Sequence, residues 1–116
     1  MSPITFVTVV NENYFHHLPI LFHTIKKSVP CFNLIVYGVN LSNHSLSSET
    51  LKNKNIQIVN SRQFFKRFEL ERAYCCNVRA SALNDVASKL PDDATLIYVD
   101  VNLLILPALN KFIDRM

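Results

Sequence analysis

LIYVDVNLLIL, residues 96–106, holds nine apolar residues and two polar ones, Asp100 and Asn102, set two apart near its middle. An unpartnered carboxylate in an apolar interior would sooner take up a proton than stay ionised, so Asp100 marks the place where a buried strand reaches the surface. The residues before it, 95–99, carry the β-branched and aromatic side chains of a short strand buried on both faces. Side chains two apart on extended backbone point to the same side, so Asp100 and Asn102 can offer two oxygens to one ligand, a hard cation or a phosphate-bound metal. The same two residues could instead solvate a strand-to-loop bend.

Working outward, ITFVTVV at 4–10 reads as a buried strand and NENY after it as a turn. Leu18, Leu21, Phe22, Ile25 and Val29 recur at helical spacing, with Pro19 tolerated in the first turn and Val29-Pro30 closing the helix. FNLIVY at 32–37 is a second strand. A polar loop from Gly38 leads to a short helix near 48–52, and IQIV at 56–59 is a third strand. A longer helix is expected over 69–90, with Ala73, Cys76, Ala80, Leu83, Val86, Ala87 and Leu90 on its buried face. After the Asp-Val-Asn element, LLIL suggests one more short strand, and residues 107–116 the start of a helix. Strands alternating with helices imply an α/β fold, a parallel sheet of Rossmann-like sandwich type covered by helices on both faces. In such sheets ligands sit beyond the carboxyl ends of the strands, where the strand order reverses. Asn11 to Tyr14, Asp100 to Asn102 and the first half of the long helix, including Arg79, all converge on that edge.

Composition bounds the function. The 116 residues fit one small domain, 1–116, with 49% hydrophobic and 18% charged residues, a soluble globular balance. The net charge of +3 is too mild and dispersed to indicate nucleic acid. Arg62, Lys66, Arg67, Arg72 and Arg79 form a basic stretch that could meet phosphate or simply face solvent. Cys31, Cys75 and Cys76 are an odd set with two adjacent members, which implies no disulfide framework and favours a reducing, cytoplasmic setting. No apolar run is long enough to span a membrane. Gly38 is the only glycine, so the GxGxxG fingerprint, the Walker phosphate loop and the GxSxG nucleophile elbow are excluded. His16, His17 and His23 are spread around their helix and make no metal cluster, and Cys76 reads as a small core residue.

TFVTVVNENY, an amphipathic helix, FNLIVYGVN and then NVRASALNDVASKLPDDATLIYVDVNLLIL together resemble the nucleotide-binding half of a GT-A glycosyltransferase, the nucleotide-diphospho-sugar transferase fold, nearest to the glycogenin and galactinol synthase group. The resemblance covers roughly residues 4–107. It implies a UDP-sugar donor and Mn²⁺ or Mg²⁺ as cofactor. By position, Asp100 matches the first aspartate of the family's DxD motif, a ribose and metal contact, and Asn102 matches the second, a direct metal ligand. Tyr14 matches the aromatic that stacks on uracil, with Asn11 in the adjoining turn, and Arg79 matches the helix cation that reaches the diphosphate or the DxD carboxylates. Two departures stand out. Asn102 removes one negative charge; a unit charge pair ~4 Å apart is worth about 4 kcal/mol at an effective dielectric near 20, so weaker metal binding is expected. The family's acceptor-binding half, third metal ligand and catalytic base lie downstream of the DxD element, so the resemblance implies a domain truncated at its C-terminus, its acceptor and catalytic residues unknown. Two alternatives stay open: a non-catalytic half-domain that binds nucleotide or a partner, and a haloacid-dehalogenase-type phosphatase with Asp100 as nucleophile.

Overall fold

The computed structural model describes residues 4–62 and 68–102, and at residues 68–73 and 76 the backbone alone. Among the described residues four parallel strands form one sheet: β1 (Ile4–Asn11), β2 (Phe32–Val39), β3 (Ile56–Ser61) and β4 (Leu96–Tyr98), in the order β3-β2-β1-β4. Every strand pair is parallel, β1 running in register with β2 from Ile4↔Phe32 to Asn11↔Val39 and with β4 from Thr5↔Leu96 to Val7↔Tyr98. The chain steps outward from β1 to β2 to β3 and then returns to the far side of β1 for β4. The order therefore reverses between β1 and β4.

All eight residues of β1 are buried, as a central strand covered on both faces requires. Alternation along it divides two cores. Phe6 and Val10 join Leu34 and Val36 beneath helix α1 (Leu18–Ser28), whose Leu18, Leu21, Phe22 and Ile25 sit at the expected helical spacing. Val7 and Val9 join Val39 beneath Ala82 and Val86 of helix α3 (Phe68–Ala87). Pro19 does lie in the first turn of α1, and Val29 ends the helix in extended conformation.

The turn after β1 is a 3₁₀ helix, Glu12–His17, capped by Asn11, whose side-chain oxygen accepts from Tyr14 N–H at 3.2 Å. The loop expected to carry one helix near 48–52 holds two pieces: helix α2 (Asn43–Leu46), capped by Ser42, and a single 3₁₀ turn at Thr50–Lys52. The stronger cap is the earlier serine, because Ser42 Oγ accepts from Ser45 N–H at 3.1 Å. The buried stripe of α3 also differs from expectation. Among the described residues Val86 is buried and Leu83 and Leu90 pack against the core as expected, but Ala82 is the other buried member, Cys75 and Val78 pack beside it, and Ala80 and Ala87 are exposed. The expected roles of Ala73 and Cys76, the LLIL strand and the helix over 107–116 fall outside the described residues. No described helix is long and apolar enough to cross a membrane.

Candidate functional site

At the carboxyl ends of β1 and β4, where the strand order reverses, the surface opens into a cleft of about 240 Å³. Its lining includes Asn11, Tyr14, Arg79, Asp100 and Asn102, so all five residues singled out in the sequence, from three separate segments, face one space.

The β4 side follows from alternation. Val99 and Val101 are buried in the α1-side core, and Val99 N–H donates to Val7 O at 2.9 Å, extending the contact with β1 beyond the strand proper. Asp100 and Asn102 between and after them are exposed and line the cleft, although β4 ends at Tyr98 and residues 101–102 form a turn. The α3 side follows from helical spacing: Cys75 and Arg79, one turn apart, both line the cleft. An Arg79 Nη1 atom lies 3.7 Å from Asp100 Oδ1, with side chains 45% and 55% exposed. An ion pair this long and this wet contributes well under ~1 kcal/mol, so a ligand can rearrange it cheaply. The third wall is the capped turn. Tyr14 is 41% exposed, one of few large apolar side chains left in water among the described residues, and its ring stacks on His17 at 6.1 Å with 25° between planes.

Tyr98 also belongs to this cleft, and the sequence reading passed over it. The Arg79 guanidinium sits 5.8 Å from the centre of its ring, a cation–π distance, and burial pushes its phenol up to about 12, the Asp100 charge adding to the rise. The signal was available: Tyr98, Asp100 and Asn102 are spaced i, i+2, i+4, so the argument that joins Asp100 to Asn102 reaches one step back. Cys75 was equally readable from its one-turn distance to Arg79.

Chemically the cleft offers an aromatic face, one guanidinium and a pair of hard oxygen donors. Among the described residues no group of three or more His, Cys, Asp or Glu side chains could hold a metal ion unaided. Asp100 and Asn102 suit a cation that draws its other ligands from phosphate and water, which is how Mg²⁺ is commonly held. His16, His17 and His23 do not line the cleft.

No family model and no curated protein matches this chain. Solved structures do. The chain is similar to the structure of an active-site mutant of LgtC, with a TM-score of 0.64 and 12% identity over 94% of this chain and 41% of that one. It is equally similar to galactosyltransferase LgtC in complex with donor and acceptor sugar analogues, with a TM-score of 0.65 and 12% identity over 96% of this chain and 42% of that one. At this identity the likeness shows the fold, a GT-A glycosyltransferase-like α/β fold, as the sequence pattern implied. The chain spans about two fifths of the length of these structures.

Proposed function

We propose that this chain is the nucleotide-sugar-binding part of a glycosyltransferase and that the cleft at the β1–β4 edge takes a UDP-sugar together with Mn²⁺ or Mg²⁺. The observation that carries this reading is the convergence of the Asn11–Tyr14 turn, Arg79 and the Asp100–Asn102 pair on one space at the switch point of a GT-A-like sheet. Tyr14 gives the base an exposed, supported aromatic platform. Arg79 supplies positive charge for the diphosphate, and its weak contact with Asp100 is readily exchanged for phosphate. Tyr98, protonated at neutral pH, walls the space between Arg79 and Asp100. Asp100 and Asn102 would hold the cation, which when bound neutralises charge developing on the β-phosphate as the sugar departs.

Asp100 is the one carboxylate among the described residues lining the cleft. This favours a second reading, a domain that binds nucleotide and leaves the transfer step to residues elsewhere or performs none. Calorimetric titration with UDP-sugars tests the shared core of both readings. Binding is expected to require Mn²⁺ or Mg²⁺ and to be lost in Asp100→Ala. Metal-independent binding that survives this substitution rules the assignment out, and sugar transfer by the chain decides between the readings.

A further inference from the structure

The turn that presents Tyr14 is held from behind. While Asn11 caps it on the cleft side, the next residue, Glu12, does not line the cleft and turns toward the loop after β2. Its Oε2 accepts from Ser42 N–H at 2.9 Å, and its Oε1 accepts from the Ser42 hydroxyl at 2.7 Å and the Ser45 hydroxyl at 2.6 Å. Ser42 in turn caps α2 through Ser45 N–H. One carboxylate thus gathers three donors from a segment thirty residues away, and Ser45 is buried, so the far anchor is fixed in the body of the protein. The Ser45 hydrogen bond is the main reason the Glu12 carboxyl lies below its ordinary value, and an ionised, acceptor-only group suits an anchor built from donors alone.

We propose that Glu12 is a positioning residue for nucleotide binding: it ties the Asn11–Tyr14 turn to Ser42 and Ser45, so that the Tyr14 ring holds its place at the cleft and affinity for uridine diphosphate depends on a side chain that never touches it. This rests on the reading of Tyr14 as the base platform. Hydrogen bonds lock the turn before the ligand arrives, so ordering it costs less on binding. The tether sits at the edge of the α1-side core, beside Phe15, Leu41 and Leu46, so the melting transition of each variant is read alongside its binding.

The test uses the absence of tryptophan from the chain. Tyr14→Trp creates a single fluorescent reporter at the platform, and UDP with Mg²⁺ is expected to quench it. Adding Glu12→Ala should weaken UDP binding by about tenfold, equivalent to ~1.4 kcal/mol, and lower the reporter's anisotropy while the melting transition stays cooperative. Glu12→Gln, which keeps one carbonyl acceptor and the shape, should recover part of the loss. Ser45→Ala, which removes one bond from the other side, should weaken binding by a smaller factor and serves if Glu12→Ala does not fold. UDP affinity and anisotropy unchanged in a folded Glu12→Ala or Ser45→Ala protein overturn the proposal. The same Glu12→Ala and Ser45→Ala changes are read by calorimetry in the Tyr14 protein, where absence of any UDP binding before substitution overturns the nucleotide reading itself, and this inference falls with it.

Discussion

The carboxylate at position 100 is placed by its neighbours. Buried Val99 and Val101 pin the backbone on either side and leave Asp100 to face outward with Asn102, while Tyr98 and Arg79 close the space around it. Spacing suggested that pairing on the assumption of extended backbone, and the two residues do line one cleft, although the backbone at 101–102 is a turn. The contact with Arg79 follows from no spacing rule, since it depends on where α3 is docked, and was expected only from the family resemblance. The amide at 102 sets the charge of the site. Asn102→Asp adds a second carboxylate, and because both side chains are exposed the gain is well below the about 4 kcal/mol of a close pair at an effective dielectric near 20. Binding of Mn²⁺ in the presence of UDP should tighten by about tenfold, a change worth ~1.4 kcal/mol, measured by calorimetry or paramagnetic relaxation of water. An unchanged metal affinity would place the cation elsewhere.

Among the elements, the strands and α1 were legible because their patterns are strong: β1 is continuously apolar, and α1 has large side chains at clean helical spacing. Helix α3 was legible as a helix and only partly in its facing: Leu83, Val86 and Leu90 pack as expected, while Ala80 and Ala87 do not. Its alanines fit either side of an amphipathic pattern, so the buried stripe through Val78, Ala82 and Val86 is chosen by the shape of the sheet beneath rather than by hydrophobic contrast. The serine-rich loop was misjudged for a related reason. Several serines could cap a helix, and the winner, Ser42, is selected by Glu12, a partner no local pattern reveals. Gly38 gains a structural role that its rarity did not foretell. A Cβ there would collide with the Leu41 side chain and reach 2.9 Å from Asn60 Oδ1, the atom that accepts from Leu41 N–H at 3.2 Å. Leu41 is fully buried and cannot retreat. Gly38→Ala should therefore destabilise the protein by about 1–3 kcal/mol in urea unfolding through overpacking at the end of β2. A melt indistinguishable from the parent would mean that the loop yields.

At the scale of the molecule, the reversal of strand order among the described residues marks where a ligand can sit, and the alternation of strands and helices was enough to place the residues on that edge. The same architecture shapes stability at high pH. Burial raises Tyr37 to about 12, helped by the hydrogen bond its phenol donates to Asp85 at 2.7 Å, and burial likewise raises Tyr98 to about 12. A phenol held protonated above its ordinary value of 10.0 stabilises the fold fully below that pH, and the contribution is lost as pH rises toward 12. Unfolding measured between these limits should show stability falling with pH, with a smaller slope in Tyr37→Phe and in Tyr98→Phe. On the acid side the sign reverses. Glu12 lies below its ordinary 4.5, so its contribution is present above that pH and fades as pH drops through the lowered value. The central claim remains spatial: the first turn, the middle of α3 and the end of β4 form one nucleotide site. Amide chemical shifts followed through a titration with UDP and Mg²⁺ test it directly. The account predicts perturbations confined to residues 9–14, 75–79 and 98–102, with Asn33, Asn55 and Gln57 at the opposite end unmoved. Saturable shifts centred on that opposite end, or none anywhere, would contradict it.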